Sequence, residues 1–325
     1  MSPRRFALLF PGQGAQSVGM GRDLAYEFPA ARACFEQADR ILGYPLSKIC
    51  WEGPQETLTS TEQAQPALFV TSLAALGALE SEIETQNPGI QWQPSAAAGL
   101  SLGEYTALTV TEAFSFFDGL RLVRLRGQAM EAAARAFPGT MASVLGLGLN
   151  AVEAICSETG AQVANINSPE QIVISGPPEA VSAALSQAKE KGAKRTIPLE
   201  VGGAFHSHLM SPAAVQLQEA FKSVTVHRPK FPVVSNVNGV YYTSSSEVRL
   251  LLVEQITHSV RWELSMRTLL AEGITTFLEV GPGTVLKGLL RKIHPEATVL
   301  SVGTAPQVRE VAAQWSPAAG QAQWA

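Results

Sequence analysis

The sequence predicts an α/β fold with a largely parallel sheet, on three observations. Strand-like runs alternate with helix-length segments over most of the 325 residues, the order expected of parallel strands joined by crossover helices. Apolar runs end in glycine turns that lead directly into helices. With 46% hydrophobic and 16% charged residues, the chain is also able to bury a sizeable core in one large domain or in a main domain carrying an insert.

Taken in order, Phe6 to Phe10 reads as the first strand. Ser95 to Leu100 is a second, built of small and apolar residues, with the helical stretch Leu102 to Val110 directly behind it. A third runs from Thr276 to Val280 and stops at Gly281-Pro282-Gly283, after which Thr284 to Ile293 reads as a helix. Between about Thr140 and Val201 the rhythm changes to strand (Met141 to Leu147), helix (Ala151 to Thr159), strand (Gln162 to Ile166), strand (Gln171 to Ser175), helix (Glu179 to Lys191) and strand (Lys194 to Leu199). This βαββαβ order is the ferredoxin-like unit. Pro138-Gly139 and Gly202-Gly203 flank it as hinges, so it is expected to be an inserted subdomain with a site in the cleft beside it. Gln307 to Ala325, rich in Ala and Gln with little pattern after Trp315, is expected to be a frayed tail.

Several function classes recede at this stage. A formal net charge of -4 gives no basic field, so nucleic acid is not an expected partner. The apolar run before Pro11 is too short for a signal-peptide core. No uncharged apolar stretch approaching the ~18 residues of a membrane span stands out, so a cytoplasmic protein without a membrane partner is expected. Cys34, Cys50 and Cys156 show no C-x-x-C spacing, and their odd number fits a reducing compartment.

Chemistry enters at Gly99-Leu100-Ser101-Leu102-Gly103. This G-x-S-x-G string sits where a strand gives way to a helix, the setting of a nucleophile elbow. Its glycines admit close backbone neighbours while the serine Oγ is lifted into the open. Free N–H groups at the start of the helix, Leu102 among them, are placed to hold a developing oxyanion. A serine needs a base, and of five histidines His206 and His208 lie at the mouth of the expected cleft; the residues alone do not choose between them. Phe10-Pro11-Gly12-Gln13-Gly14 leaves the first strand without the Lys-Ser/Thr of a phosphate loop. Arg126 falls on a partly apolar helical face near Leu122, Val123, Ala129 and Met130. A buried guanidinium requires an anion, either internal (Glu104 or Glu131) or the carboxylate of a substrate, which its planar fork fits.

Together these motifs resemble the malonyl-CoA:acyl carrier protein transacylase family from about Phe6 to Ile293. The strings that carry the likeness are FPGQGAQSVGMG at Phe10 to Gly21, GLSLGEYTAL at Gly99 to Leu108, RLVRLRGQAM around Arg126, NINSP at Asn165 to Pro169, GAFHSHLM at Gly203 to Met210 and EVGPG at Glu279 to Gly283. The resemblance implies an α/β-hydrolase-like main domain (1–137 and 203–306) with an inserted ferredoxin-like subdomain (138–202), followed by the tail (307–325). It implies transfer of malonyl from malonyl-CoA to the phosphopantetheine thiol of acyl carrier protein through a malonyl-serine intermediate, in fatty acid biosynthesis. No cofactor is implied, coenzyme A being part of a substrate, and a monomer is the family's expectation.

Position by position, the resemblance places the nucleophile at Ser101 and the base at His206 rather than His208. Backbone N–H groups of Gln13 and Leu102 match the oxyanion hole, and Arg126 matches the arginine that pairs with the malonyl carboxylate. Gln255 matches a glutamine whose main chain orients the histidine, and Phe205 marks malonyl rather than methylmalonyl specificity. One position departs: the commoner string has histidine where this chain has Leu100, which alters the wall of the acyl pocket. The rivals are an α/β-hydrolase esterase, a polyketide-loading acyltransferase and a non-enzymatic carrier-binding module. Two basic groups, Lys189, Lys191, Lys194 and Arg195 on the insert and Lys287, Arg291 and Lys292 on the last helix, are candidate contacts for an acidic carrier protein or plain solvated faces.

Overall fold

Phe6, Ala7, Leu8, Leu9 and Phe10 are all buried, and burial on both faces suits a strand at the centre of a sheet. In the computed structural model, which describes residues 5–90 and 92–315, this strand is β1 (Phe6–Phe10) and it lies parallel to β2 (Ala96–Gly99). The other strands, in chain order, are β3 (Thr140–Leu145), β4 (Gln162–Ser168), β5 (Gln171–Gly176), β6 (Arg195–Pro198), β7 (Thr276–Val280) and β8 (Thr298–Val302). They form a parallel sheet in the order β2-β1-β7-β8 and an antiparallel sheet in the order β4-β5-β3-β6. The molecule is a mixed α/β fold.

Register decides where ligands are met. Phe10 stands opposite Gly99, and Leu9 stands between Ala98 and Glu279, so three strands finish side by side and their exit loops share one edge. That edge, at the C-terminal ends of parallel strands, is where open α/β sheets bind ligands. Glu279 shows how firmly it is built: its buried carboxylate accepts the N–H groups of Leu286 (2.8 Å) and Lys287 (2.9 Å), capping the helix Val285–Ile293. This accounts for the EVGPG string as a helix-capping device.

The antiparallel sheet carries its own core. Val152 and Ile155 of the helix Leu149–Thr159 and Val181 and Ala184 of the helix Pro178–Glu190 close over Ala142, Val144, Ile172 and Ile174. Each expected element of this segment is present to within a few residues; β3 stops at Leu145 because Gly146 turns the chain with φ 86°.

Two expectations are corrected. The helix Thr61–Gln86 is long and apolar enough to cross a membrane by length and composition, although no such stretch stood out in the sequence; here it is a core helix, mostly buried and packed on the helix Phe116–Ala136. The frayed tail is the second. The helix Ala305–Gln314 occupies its first part, and Val308, Val311, Ala312 and Trp315 are buried. The Trp315 ring lies 5.1 Å from that of Phe6 and 4.8 Å from that of Trp92. The spacing 308, 311, 312, 315 is one apolar face of a helix, obscured in the sequence by surrounding Ala and Gln. Residues 316–325 lie outside the described residues.

Candidate active site

The turn after β2 is forced by contacts that leave no room for side chains. A Cβ on Gly99 would lie 1.8 Å from the carbonyl carbon of Gly103, and one on Gly12 would lie 2.4 Å from the carbonyl oxygen of Leu100. Between these close approaches Ser101 takes φ 51°, a left-handed conformation that costs a non-glycine residue on the order of 1 kcal/mol or more. The helix Leu102–Val110 starts at the next residue, so the N–H of Leu102 has no acceptor within its own helix.

Ser101 meets two of the predicted residues directly. Its Oγ is 2.9 Å from Nε2 of His206 and accepts a hydrogen bond from Nη2 of Arg126 at 2.9 Å. The other ring nitrogen of His206, Nδ1, is 2.8 Å from the main-chain carbonyl of Gln255. A carbonyl only accepts, so Nδ1 carries the proton and the lone pair of Nε2 faces the serine hydroxyl. Burial pushes the His206 pKa down to about 4, and the charge of Arg126 pushes the same way against the Gln255 hydrogen bond. The imidazole is therefore neutral at physiological pH, the state a general base requires.

Arg126 is 2% exposed. Nη1 donates to Oε1 of Gln65 (2.8 Å), Nη2 donates to Oε1 of Gln255 (2.9 Å), and the guanidinium lies 5.3 Å from the centre of the Tyr105 ring. Its Nε has no hydrogen-bond partner. Among the described residues no carboxylate forms an ion pair with it: Glu131 is paired with Arg135 and accepts the N–H of Glu62, while Glu104 reaches Arg126 only through Gln255. The internal salt bridge considered for Arg126 does not form. Burial lowers its pKa, opposed by Tyr105 and Glu104.

A cavity of about 280 Å³ opens onto these groups, between the exit loops of the parallel sheet and one face of the antiparallel sheet. Gln13, Leu100, Leu102, Phe205 and His206 line it together with Ser101 and Arg126, and Asn165 and Val173 supply the opposite wall. All seven predicted site residues thus converge, Gln255 from behind the histidine. His208 does not join them: it is exposed, with Nδ1 2.5 Å from Oε1 of Gln162. His227 and His258 are exposed as well. Among the described residues no group of three His, Cys, Asp or Glu side chains is arranged to hold a metal.

Four further residues complete the site without having been singled out for it. Gln65 holds Arg126. Asn236 accepts the N–H of Ser101 through Oδ1 (2.7 Å) and donates to the carbonyl of Gly99 (2.8 Å). Glu104, considered only as an ion-pair partner, and Tyr242 stand behind Gln255. Asn236 and Tyr242 lie 135 and 138 residues away in sequence from the groups they serve, and no local pattern marks them.

Comparison with known proteins identifies the family. Residues 7–318 match the acyl transferase domain family. The malonyl CoA-acyl carrier protein transacylase of Bacillus subtilis is 44% identical over 315 residues, covering 95% of this chain and 96% of that protein. The crystal structure of an acyl-carrier-protein S-malonyltransferase from Bartonella henselae superposes with a TM-score of 0.90 at 40% identity, covering 96% of this chain and 99% of the other. A malonyl-transacylase in complex with a type II polyketide acyl-carrier protein gives a TM-score of 0.88 at 37% identity, covering 94% and 97%.

Proposed function

The chain belongs to the acyl transferase family, and on that premise we propose how its site performs the reaction. The protein is an acyltransferase that moves malonyl from malonyl-CoA to an acyl carrier protein. In the mechanism we infer, neutral His206 takes the proton of Ser101 as Oγ attacks the thioester carbonyl. The tetrahedral oxyanion is held by the backbone N–H groups of Gln13 and Leu102. Coenzyme A leaves as the thiol, taking the proton from His206, and malonyl remains on Ser101 as an ester. The phosphopantetheine thiol of the carrier then loses its proton to His206, attacks that ester and restores the serine hydroxyl.

One observation carries the malonyl assignment: a buried arginine beside the nucleophile with no carboxylate of its own. An unpaired buried charge is costly, and the free carboxylate of malonyl is the anion that relieves it. Phe205, 6% exposed in the cavity wall, takes up the space that an α-methyl branch would need. Acyl exchange between sulfur and oxygen changes no oxidation state, so the scheme requires no cofactor. A pathway role in fatty acid synthesis is supported by the full-length likeness to stand-alone transacylases.

The finer reading of the fold follows the same premise. The βαββαβ chain order and the sheet order β4-β5-β3-β6 support a ferredoxin-like insert at 138–202 in an α/β-hydrolase-like body at 1–137 and 203–306. A cytoplasmic enzyme without nucleic-acid partners accords with the net charge of -4 and the odd cysteine count, the burial of the helix Thr61–Gln86 supports the absence of a membrane partner, and a monomer is the expectation from the family alone. Of the two basic groups, the one on the helix Val285–Ile293 is the better carrier contact. Its Val285 and Leu289 line the cavity, whereas on the insert Lys191 pairs with Glu158 and Lys194 with Glu170.

The direct test is intact mass after incubation with malonyl-CoA. A single malonyl adduct on the wild type, absent from Ser101→Ala, is the expected result; no adduct on the wild type sinks the mechanism.

A further inference from the structure

Glu104 is fully buried behind Arg126 and lies outside the cavity that holds the reacting groups. Three donors converge on its carboxylate: the hydroxyl of Tyr242 (2.6 Å) and the backbone N–H of Asn236 (3.0 Å) on Oε1, and the side-chain amide of Gln255 (2.5 Å) on Oε2. Only a group that accepts at both ends satisfies this arrangement, and an ionised carboxylate is such a group. An isosteric amide turns an NH2 toward one of the donors.

The consequence passes to Gln255. Its Nε2 is held by Glu104 and by the carbonyl of Ser101 at 3.0 Å, which leaves Oε1 facing Nη2 of Arg126 at 2.9 Å. If the amide turned over, an NH2 would face the guanidinium and displace it. Asn236 is fixed from the same centre, its N–H on Glu104 and its Oδ1 on the N–H of Ser101.

We propose that Glu104 is the positioning residue for malonyl selectivity: by fixing the side-chain amide of Gln255 it aims Arg126 at the free carboxylate of the acyl group. The proposal rests on Arg126 being the carboxylate clamp. Burial pushes the Glu104 carboxyl up to about 7, against the three hydrogen bonds and the charge of Arg126.

The test compares kcat/KM for malonyl-CoA and acetyl-CoA in the wild type, Glu104→Gln, Gln255→Met, the double variant and Arg126→Ala. The expected result is a malonyl-to-acetyl ratio lowered at least ~10-fold in both single variants, the cost of one misdirected charged hydrogen bond. The double variant should be no worse than the weaker single, because both act through one amide. Equal losses on the two thioesters, matching the fraction of enzyme that forms a malonyl adduct, would overturn the proposal. Should Glu104→Gln fail to fold, an unchanged ratio in Gln255→Met overturns it just as well. Arg126→Ala separates the premise: if it keeps the ratio, the clamp itself is wrong; if it alone collapses the ratio, only the role of Glu104 falls.

Discussion

Gly103 faces Phe10 so closely that a Cβ on it would lie 2.1 Å from the Phe10 carbonyl oxygen. The start of the helix behind the nucleophile therefore rests against the end of β1, from which the loop bearing Gln13 departs. On the proposed mechanism, the two segments that carry the oxyanion-binding N–H groups of Gln13 and Leu102 meet at this contact.

Gly103→Ala should push these two pieces apart. We expect a loss of stability on the order of 1–3 kcal/mol and a fall in the rate of malonyl-serine formation with little change in binding of malonyl-CoA. Urea denaturation and single-turnover kinetics measure the two effects. A variant as stable and as fast as the wild type would show that the contact has slack.

Arg126→Lys keeps the charge and removes the fork. A single nitrogen cannot stand both where Nη1 meets Gln65 and where Nη2 meets Gln255, and it offers a substrate carboxylate no bidentate fork. The expected loss in kcat/KM for malonyl-CoA is about 2 kcal/mol, or roughly 30-fold, read from initial rates at saturating carrier protein.

The pH dependence follows from His206. Its pKa is lowered to about 4 from an ordinary 6.5, and on the proposed mechanism the neutral form is the working base. Acylation by acetyl-CoA, which makes no use of the carboxylate clamp, should therefore hold its rate as the pH falls through 6.5 and decline only toward pH 4, whereas acylation by malonyl-CoA also follows Glu104, whose carboxyl is pushed up to about 7. The stability consequence has the same window: between 6.5 and 4 the unfolded chain binds this proton and the folded chain does not, so this group's contribution favours unfolding as pH drops. Rapid-quench measurement of acetyl-adduct formation across that range checks the first point; a midpoint near 6.5 would contradict it.

Reversing charge on the helix Val285–Ile293, Lys287→Glu with Arg291→Glu, should raise the KM for carrier protein roughly 5-fold, about 1 kcal/mol of screened charge interaction. The wild-type KM should rise with salt and the variant's far less. The same reversal at Lys189 and Lys191 should leave carrier KM unchanged, and steady-state titrations with carrier protein distinguish the two.

What the sequence made legible was whatever is local. The strand, glycine turn and helix around Ser101 could be read because the constraint and the residues that meet it lie within five positions. The antiparallel segment could be read because each element carries its own period. Choosing His206 over His208 took the family likeness, since both sit in the same short string and differ only in which one faces the cleft. Asn236, Tyr242 and Gln65 were not legible, because their roles arise from contacts across more than 60 residues. The helix Ala305–Gln314 was missed for another reason: its apolar face of Val308, Val311, Ala312 and Trp315 is diluted by alanine and glutamine on every side.

Ser101 and His206 share a feature beyond their 2.9 Å contact, namely positive φ angles of 51° and 58°. At both positions glycine is the residue the backbone itself prefers, and on the proposed mechanism glycine at either one ends the chemistry. The enzyme thus gives up stability at the two places where it gains reactivity, and selection for a sturdier fold alone would erode these positions first. A library screened only for heat resistance should enrich for inactive proteins altered at this pair, while one screened for turnover must draw its added stability from elsewhere in the fold.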